Sequence, residues 1–235
     1  MGLTALVLLP FFGGLLAPLL AGGPRHRERW VSILSMGAGL VVLLVLVVAP
    51  DDHPKWLAFH HSPWAPSIGV SVIFALDGLS AALLTVSLAL GIVSVMVSWQ
   101  ITHRSGLFHL ALCWTVAASN GVFLAFDLLI FAFFWELMLV PSALLIALWG
   151  HGQRERAAIK FIIFNAVAGL GLLAAVFFLA ATQAPLTFDG FAIAEAGVDP
   201  EWQTLLLLGF ALAFLVKLPA PPFHAWLPDA HTQAP

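Results

Sequence analysis

Residues 128–150 read LLIFAFFWELMLVPSALLIALWG, an apolar run of membrane-crossing length that carries one charge, Glu136. About 20 apolar residues span the hydrocarbon layer as a helix. A lone central carboxylate in such a run costs roughly 2.5–3.5 kcal/mol on insertion-derived scales. A sequence retains one where it faces a partner, a cavity or a proton path. The run thus sets the fold class, an all-α polytopic transmembrane helix bundle, and marks the place to look for chemistry.

The rest of the chain agrees. Of its 235 residues 61% are hydrophobic and only 9% are charged, with a mean hydropathy of +1.02, whereas soluble domains carry about a quarter charged residues. The lipid bilayer is therefore the expected surrounding, and no nucleic acid partner is expected. The single cysteine, Cys113, lies in an apolar stretch and reads as a small core residue. There is no Gly-rich phosphate loop, Rossmann fingerprint or Cys-x-x-Cys, so no cofactor or metal is expected in this chain.

Hydropathy predicts seven spans, at about 3–21, 30–49, 78–99, 107–126, 128–149, 157–181 and 203–219. The first lacks a basic leading region and an Ala-x-Ala site, so it reads as a helix and not a signal peptide. Arg25, Arg27 and Arg29 fall in the first loop, Arg104 in the third, and Arg154, Arg156 and Lys160 in or beside the fifth. The second loop holds Asp51, Asp52 and Asp77 against Lys55, and the sixth holds Asp189, Glu195, Asp199 and Glu201. The positive-inside rule then places the odd loops in the cytoplasm and the N-terminus outside; a bacterial inner membrane is the expected location.

Two stretches are not simple helices. Residues 53–76, HPKWLAFHHSPWAPSIGVSVIFAL, combine prolines with β-branched alternation at Val70, Val72 and Ile73, and read as an external loop with hairpin character. Residues 217–235, KLPAPPFHAWLPDAHTQAP, carry prolines at 219, 221, 222, 228 and 235. A helix cannot continue through Pro221–Pro222, and irregular backbone at membrane depth must be buried in protein or line a wet cavity.

Counting a rise of ~1.5 Å per residue from Asp127 puts Glu136 about 13 Å into the membrane, and Lys217 about 20 Å in from the same side. Burial and mutual attraction act in opposite senses on the proton affinities of such a pair. A lysine balanced between them gains and loses protons as its partner approaches or withdraws. Glu136 and Lys217 are therefore the candidates for proton or cation translocation, with the broken helix admitting water. His224 and His231, with Asp229 between them, are candidates for extending the relay; satisfying the broken backbone is an equal reading. Their spacing does not match a helical metal face such as His-x-x-x-His. His109 stands without a second histidine at its depth, which speaks against haem ligation, and Asn120 and Ser119 are of the type that hydrogen-bond between helices.

These residues carry a resemblance. FFWELMLVPSALLIALWG (133–150), RAAIKFIIF (156–164) and FALAFLVKLPAPPFHAWLPDAHTQAP (210–235), with DGLS (77–80) and FLAFDLLIFAFFWE (123–136) upstream, are similar to the antiporter-like membrane subunits of proton-pumping NADH:quinone oxidoreductase, respiratory complex I, and most to their M-type branch. The similarity runs from about residue 70 to the end, and the first 70 residues match mainly in hydrophobic layout. The resemblance implies a fourteen-helix fold of two inverted five-helix repeats, each with a discontinuous helix. It implies that Glu136 is the fifth-helix glutamate and Lys217 the seventh-helix lysine of one proton half-channel. It further implies that other complex I membrane subunits are partners, and that NADH, flavin, iron–sulfur clusters and quinone reside in partner subunits.

Members are about twice as long as this chain, so it is expected to represent the N-terminal half of that fold, as a fragment or with a separate chain supplying the rest. Residues 1–106 would hold three N-terminal helices and the external loop 50–77, and residues 107–235 an incomplete first repeat with helices four to seven. Standing alone, the chain is expected to be unstable or inactive. Two other functions fit the same charges: a subunit of a multisubunit cation/proton antiporter, and a non-pumping membrane scaffold.

Overall fold

A computed structural model describes residues 2–22, 26–51, 53 and 55–235. Arg25 and Asp52, counted above in the first and second loops, lie outside the described residues. Seven helices among the described residues are long and apolar enough to cross a membrane: Gly2–Leu20, Arg27–Val48, Gly78–Gln100, Ser105–Leu124, Leu128–Trp149, Arg154–Ala181 and Pro200–Lys217. They coincide with the seven predicted spans. The chain divides into two compact units, Met1–His60 with Phe74–Leu124, and His61–Ile73 with Ala125–Pro235.

The first unit is a four-helix bundle of α1 (Gly2–Leu20), α2 (Arg27–Val48), α3 (Gly78–Val97) and α4 (Ser105–Leu124). α1 packs on both α4 and α2, α2 on α3, and α3 on α4. Met36, Leu88, Cys113 and Val116 form a core between α2, α3 and α4, which places the cysteine as a buried apolar group. Asn120 locks the bundle: its Nδ2 donates to the Leu6 carbonyl at 2.9 Å, and its Oδ1 accepts from the Ser87 hydroxyl at 2.8 Å. Ser119 donates to the Thr115 carbonyl within its own helix. α3 begins where it does because the Asp77 carboxylate accepts the Ser80 N–H at 2.7 Å, a bond that holds this carboxyl below the usual carboxylate range.

The predicted external loop folds into a β-hairpin, β1 (Ala58–Ala65) and β2 (Val70–Leu76). Its turn closes at Gly69, whose φ of 70° suits glycine. A side chain there would also strike the Leu186 backbone.

The second unit is built around the long helix α7 (Arg154–Ala181). It packs α5 (Leu128–Leu137), α6 (Leu139–Trp149), α9 (Pro200–Lys217) and α10 (Leu227–Gln233), and α8 (Gly190–Ala196) lies between α7 and α9 in sequence. Leu139, Ala143, Ile146, Phe161, Val216, Trp226 and Ala230 are among the residues of its main core. Asp127 organises its start. One carboxylate oxygen accepts the N–H groups of Leu129 and Ile130, capping α5, and the other accepts the Ser71 N–H at 2.9 Å.

Two departures from regular helix have a common cause. The span 128–149 crosses as one run of helix, and its hydrogen-bond ladder is weakened at Met138, whose backbone stays helical, between α5 and α6. Pro141 has no N–H to return to the Leu137 carbonyl, and its ring crowds the preceding turn. The Ser142 hydroxyl donates to the Met138 carbonyl at 2.8 Å, where the backbone bond from the Ser142 N–H is stretched to 3.4 Å. The seventh helix ends at Lys217, short of the predicted residue 219. Pro219, Pro221 and Pro222 offer no N–H to its last turn, so Ala220 reaches back to the Leu215 carbonyl, and the Val216 carbonyl is taken by the Trp226 indole N–H at 3.0 Å. A short 3-10 turn, Phe223–Trp226, then leads into α10.

These contacts predict two stability losses, both readable by thermal unfolding in detergent. Asp127→Ala removes a helix cap and strands the Ser71 N–H, and is expected to cost about 2 kcal/mol. Trp226→Phe keeps the ring but leaves the Val216 carbonyl without its donor, and is expected to cost about 1 kcal/mol.

Candidate functional site

The candidate residues gather in the second unit, where both helix irregularities fall. Glu136 occupies the last turn of α5, next to the weakened ladder at Met138. Its carboxylate lies against α7 at Gly169, where a Cβ would overlap it. Glu136 Oε1 is buried and, among the described residues, has no hydrogen-bond partner.

Lys217 is the last residue of α9, so its side chain leaves the helix where the proline-rich segment begins. Its Nζ sits 5.1 Å from the centroid of the Trp135 ring, within the range of a cation–π contact. Trp135 is in turn held edge-to-face by Phe214 of α9, at 5.5 Å between ring centroids. No ion pair within 4.0 Å joins Glu136 to Lys217. Among the described residues such pairs are Arg29–Glu28 and Lys160–Asp229. In this structure the aromatic ring holds the ammonium, and the carboxylate stands apart.

Lys217 also lines a cavity of about 350 Å³ bounded by α6, α7, the 3-10 turn and α10. Met138 and Ser142 from the weakened turn, Asn165 from α7 and His231 from α10 line it too. His231 is therefore brought to the same space as Lys217. His224 is exposed on the 3-10 turn and does not line this cavity. Asp229 pairs with Lys160 at 2.8 Å, and that hydrogen bond holds its carboxyl below the usual range.

Four participants escaped the sequence reading: Trp135, Asn165, Gly169 and Trp226. Asn165 had a visible signal, as an amide inside the apolar run 157–181. Pro141 likewise marked the weakened turn beside Glu136. Gly169 and Trp226 had none, because their roles depend on which helix lies opposite.

The family described as NADH:quinone oxidoreductase/Mrp antiporter, TM, matches residues 125–235, the stretch holding all of these groups. NADH-quinone oxidoreductase subunit M of Pseudomonas aeruginosa is 41% identical over 98% of this chain and 49% of its own length. A chain of respiratory complex I from Thermus thermophilus with bound NADH superposes with a TM-score of 0.83, at 33% identity, over 100% of this chain and 47% of its own. A chain of the Mrp complex from a Dietzia species, at 24% identity and a TM-score of 0.82, shares the fold. The chain spans about half the length of the curated relatives it matches. Residues 125–235 thus belong to the NADH:quinone oxidoreductase/Mrp antiporter family, and the chain as a whole is an antiporter-like bundle of apolar helices similar to about half of a subunit M.

Proposed function

We propose that this chain forms part of a proton-translocating membrane subunit of an NADH:quinone oxidoreductase, with Glu136 and Lys217 as its proton-holding pair. One observation supports the reading: the Lys217 ammonium rests on Trp135, the neighbour of Glu136, and lines a largely apolar cavity shared with Ser142, Asn165 and His231. An ammonium in that position has two directions in which to move. Approach to Glu136 closes an ion pair, and withdrawal toward the cavity opens it. The proton occupancy of each group depends on that separation, because in a medium of low dielectric the two charges interact strongly. His231, on the same cavity, is the next acceptor, and His224 has no such placement.

The break after Lys217 is the kind of discontinuity that transporters commonly build at buried ion sites, and the ladder beside Glu136 is weakened at Met138. Glu136 and Gly169 work as a unit, since the absent side chain leaves the carboxylate its place against α7. No redox group is assigned to this chain: quinone reduction in partner subunits that carry NADH, flavin and iron–sulfur centres would drive the step. The likeness to subunit M favours this function over a cation/proton antiporter without redox partners. Loop charges favour an N-terminus outside a bacterial inner membrane, and residues 107–235 would contribute helices four to seven to the first repeat.

In the assembled complex, Glu136→Gln and Lys217→Ala are each expected to lower proton pumping by membrane vesicles, together with NADH:quinone turnover, at least about tenfold. Normal pumping with the complex fully assembled would sink the assignment. Gly169→Ala is expected to displace the Glu136 carboxylate and reduce pumping as well. Gly171→Ala, two positions on in the same helix and facing open space, is the control and should pump normally. Since alanine favours a helix over glycine by roughly 1 kcal/mol, loss of activity in the first variant alone cannot come from a weakened α7.

A further inference from the structure

In the first unit α1 and α2 enclose an apolar furrow that runs toward an exposed arginine. The two helices come so close at Gly13 that a Cβ there would strike the Ser35 side chain. Gly13 and Ser35 border a cavity of about 490 Å³, and Leu8, Phe12 and Leu16 of α1 face Val31 and Leu34 of α2 across it. Apart from Thr4 and Ser35, every residue lining it is apolar. Leu8, Phe12, Leu16 and Leu34 are exposed, so among the described residues nothing covers the furrow. From Thr4 to Leu16 it follows α1 for about 18 Å, at ~1.5 Å per residue. That is close to the depth of one leaflet, half of a hydrocarbon layer ~30 Å thick.

The charge stands in register with the furrow. Its α2 lining, Val31, Leu34, Ser35 and Ala38, recurs at helical spacing, and Arg27 lies one turn ahead of Val31 on the same face. Side chains on a helix lean toward its N-terminus, so the guanidinium is directed to the membrane surface. Trp30, exposed three residues on, belongs to the level where amphipathic rings meet lipid headgroups. Arg27 is exposed, and the ion pairs among the described residues do not include it. The neighbouring Glu28 is buried and accepts from the Ser105 hydroxyl at 3.1 Å, so its carboxylate is engaged elsewhere.

We propose that the furrow between α1 and α2 is a binding site for an anionic phospholipid, with one acyl chain along the furrow and the headgroup phosphate on Arg27. A single molecule then meets both demands. The chain covers the exposed Leu8, Phe12, Leu16 and Leu34, and the phosphate brings the charge that Arg27 lacks, in the geometry a planar guanidinium binds with two parallel hydrogen bonds. A helix of a partner subunit would have to carry an acidic residue in register with Arg27 to do the same.

The test uses the assembled complex in phosphatidylcholine vesicles that contain a trace of a photoreactive lipid, either phosphatidylglycerol or phosphatidylcholine, with a diazirine at the end of one acyl chain. After illumination, mass spectrometry locates the label. The phosphatidylglycerol probe is expected to mark Leu8 and Phe12 about fivefold more than the phosphatidylcholine probe does, the effect of one arginine at a membrane surface. It should also mark them well above Leu90 and Val93, which are exposed near the middle of α3. Arg27→Gln is expected to bring the two probes level, and Ala38→Leu, which fills the furrow, to lower labelling by both. Equal labelling by the two probes in the unaltered complex, or no excess over Leu90 and Val93, means ordinary bilayer lipid and overturns the proposal. A protein helix seated in the furrow in an experimental structure of the complex overturns it as well. Where Arg27→Gln does not assemble, the two probes compared on the unaltered complex decide.

Discussion

A backbone carbonyl in hydrocarbon has no water to turn to, so every interruption of a membrane helix must be repaid with a donor from elsewhere in the protein. The second unit depends on how it meets that demand at Val216. Three prolines after Lys217 withhold their N–H groups, and the indole of Trp226 crosses back from the next turn to supply one. That bond folds the proline-rich segment under α7, puts Trp226 into the core beside Phe161, and brings α10 alongside the cavity. The prolines end α9 at Lys217, and the Trp226 bond folds the segment that follows into the wall of the cavity that Lys217 lines.

The same demand is met more locally at Met138, where the Ser142 hydroxyl covers a carbonyl that the proline-disturbed ladder serves poorly. The two solutions differ in reach. One uses a side chain four residues away on the same helix, and the other a side chain ten residues along the chain. Both place an irregularity next to an ionisable group, and a single long helix, α7, packs against both.

Much of this was legible in the sequence. Seven spans follow from hydropathy, because nothing else in a chain with so few charges competes with that signal. The end of the seventh helix follows from consecutive prolines, and the hairpin from alternation at Val70, Val72 and Ile73. The weakened ladder in the span 128–149 was missed because hydropathy does not register a lost hydrogen bond, and Pro141 is as apolar as its neighbours. At the site, Glu136 and Lys217 stand out as charges in apolar runs, so composition alone finds them. Gly169 works through the atoms it lacks, and Trp226 through an N–H aimed at another element. Such roles exist only once helices are paired, and no periodicity within one helix encodes them.

The missing Pro141 N–H has an electrostatic consequence. Met138 keeps a helical backbone, so the peptide dipoles of α5 and α6 stay aligned and their summed ends lie at Leu128 and Trp149. What the proline removes is one donor, at the Leu137 carbonyl, next in sequence to Glu136. The helix α9 differs, because it ends outright at Lys217, and its last carbonyls carry the equivalent of roughly half a negative elementary charge beside the ammonium. A lysine parked away from its carboxylate thus still lies in a field of favourable sign.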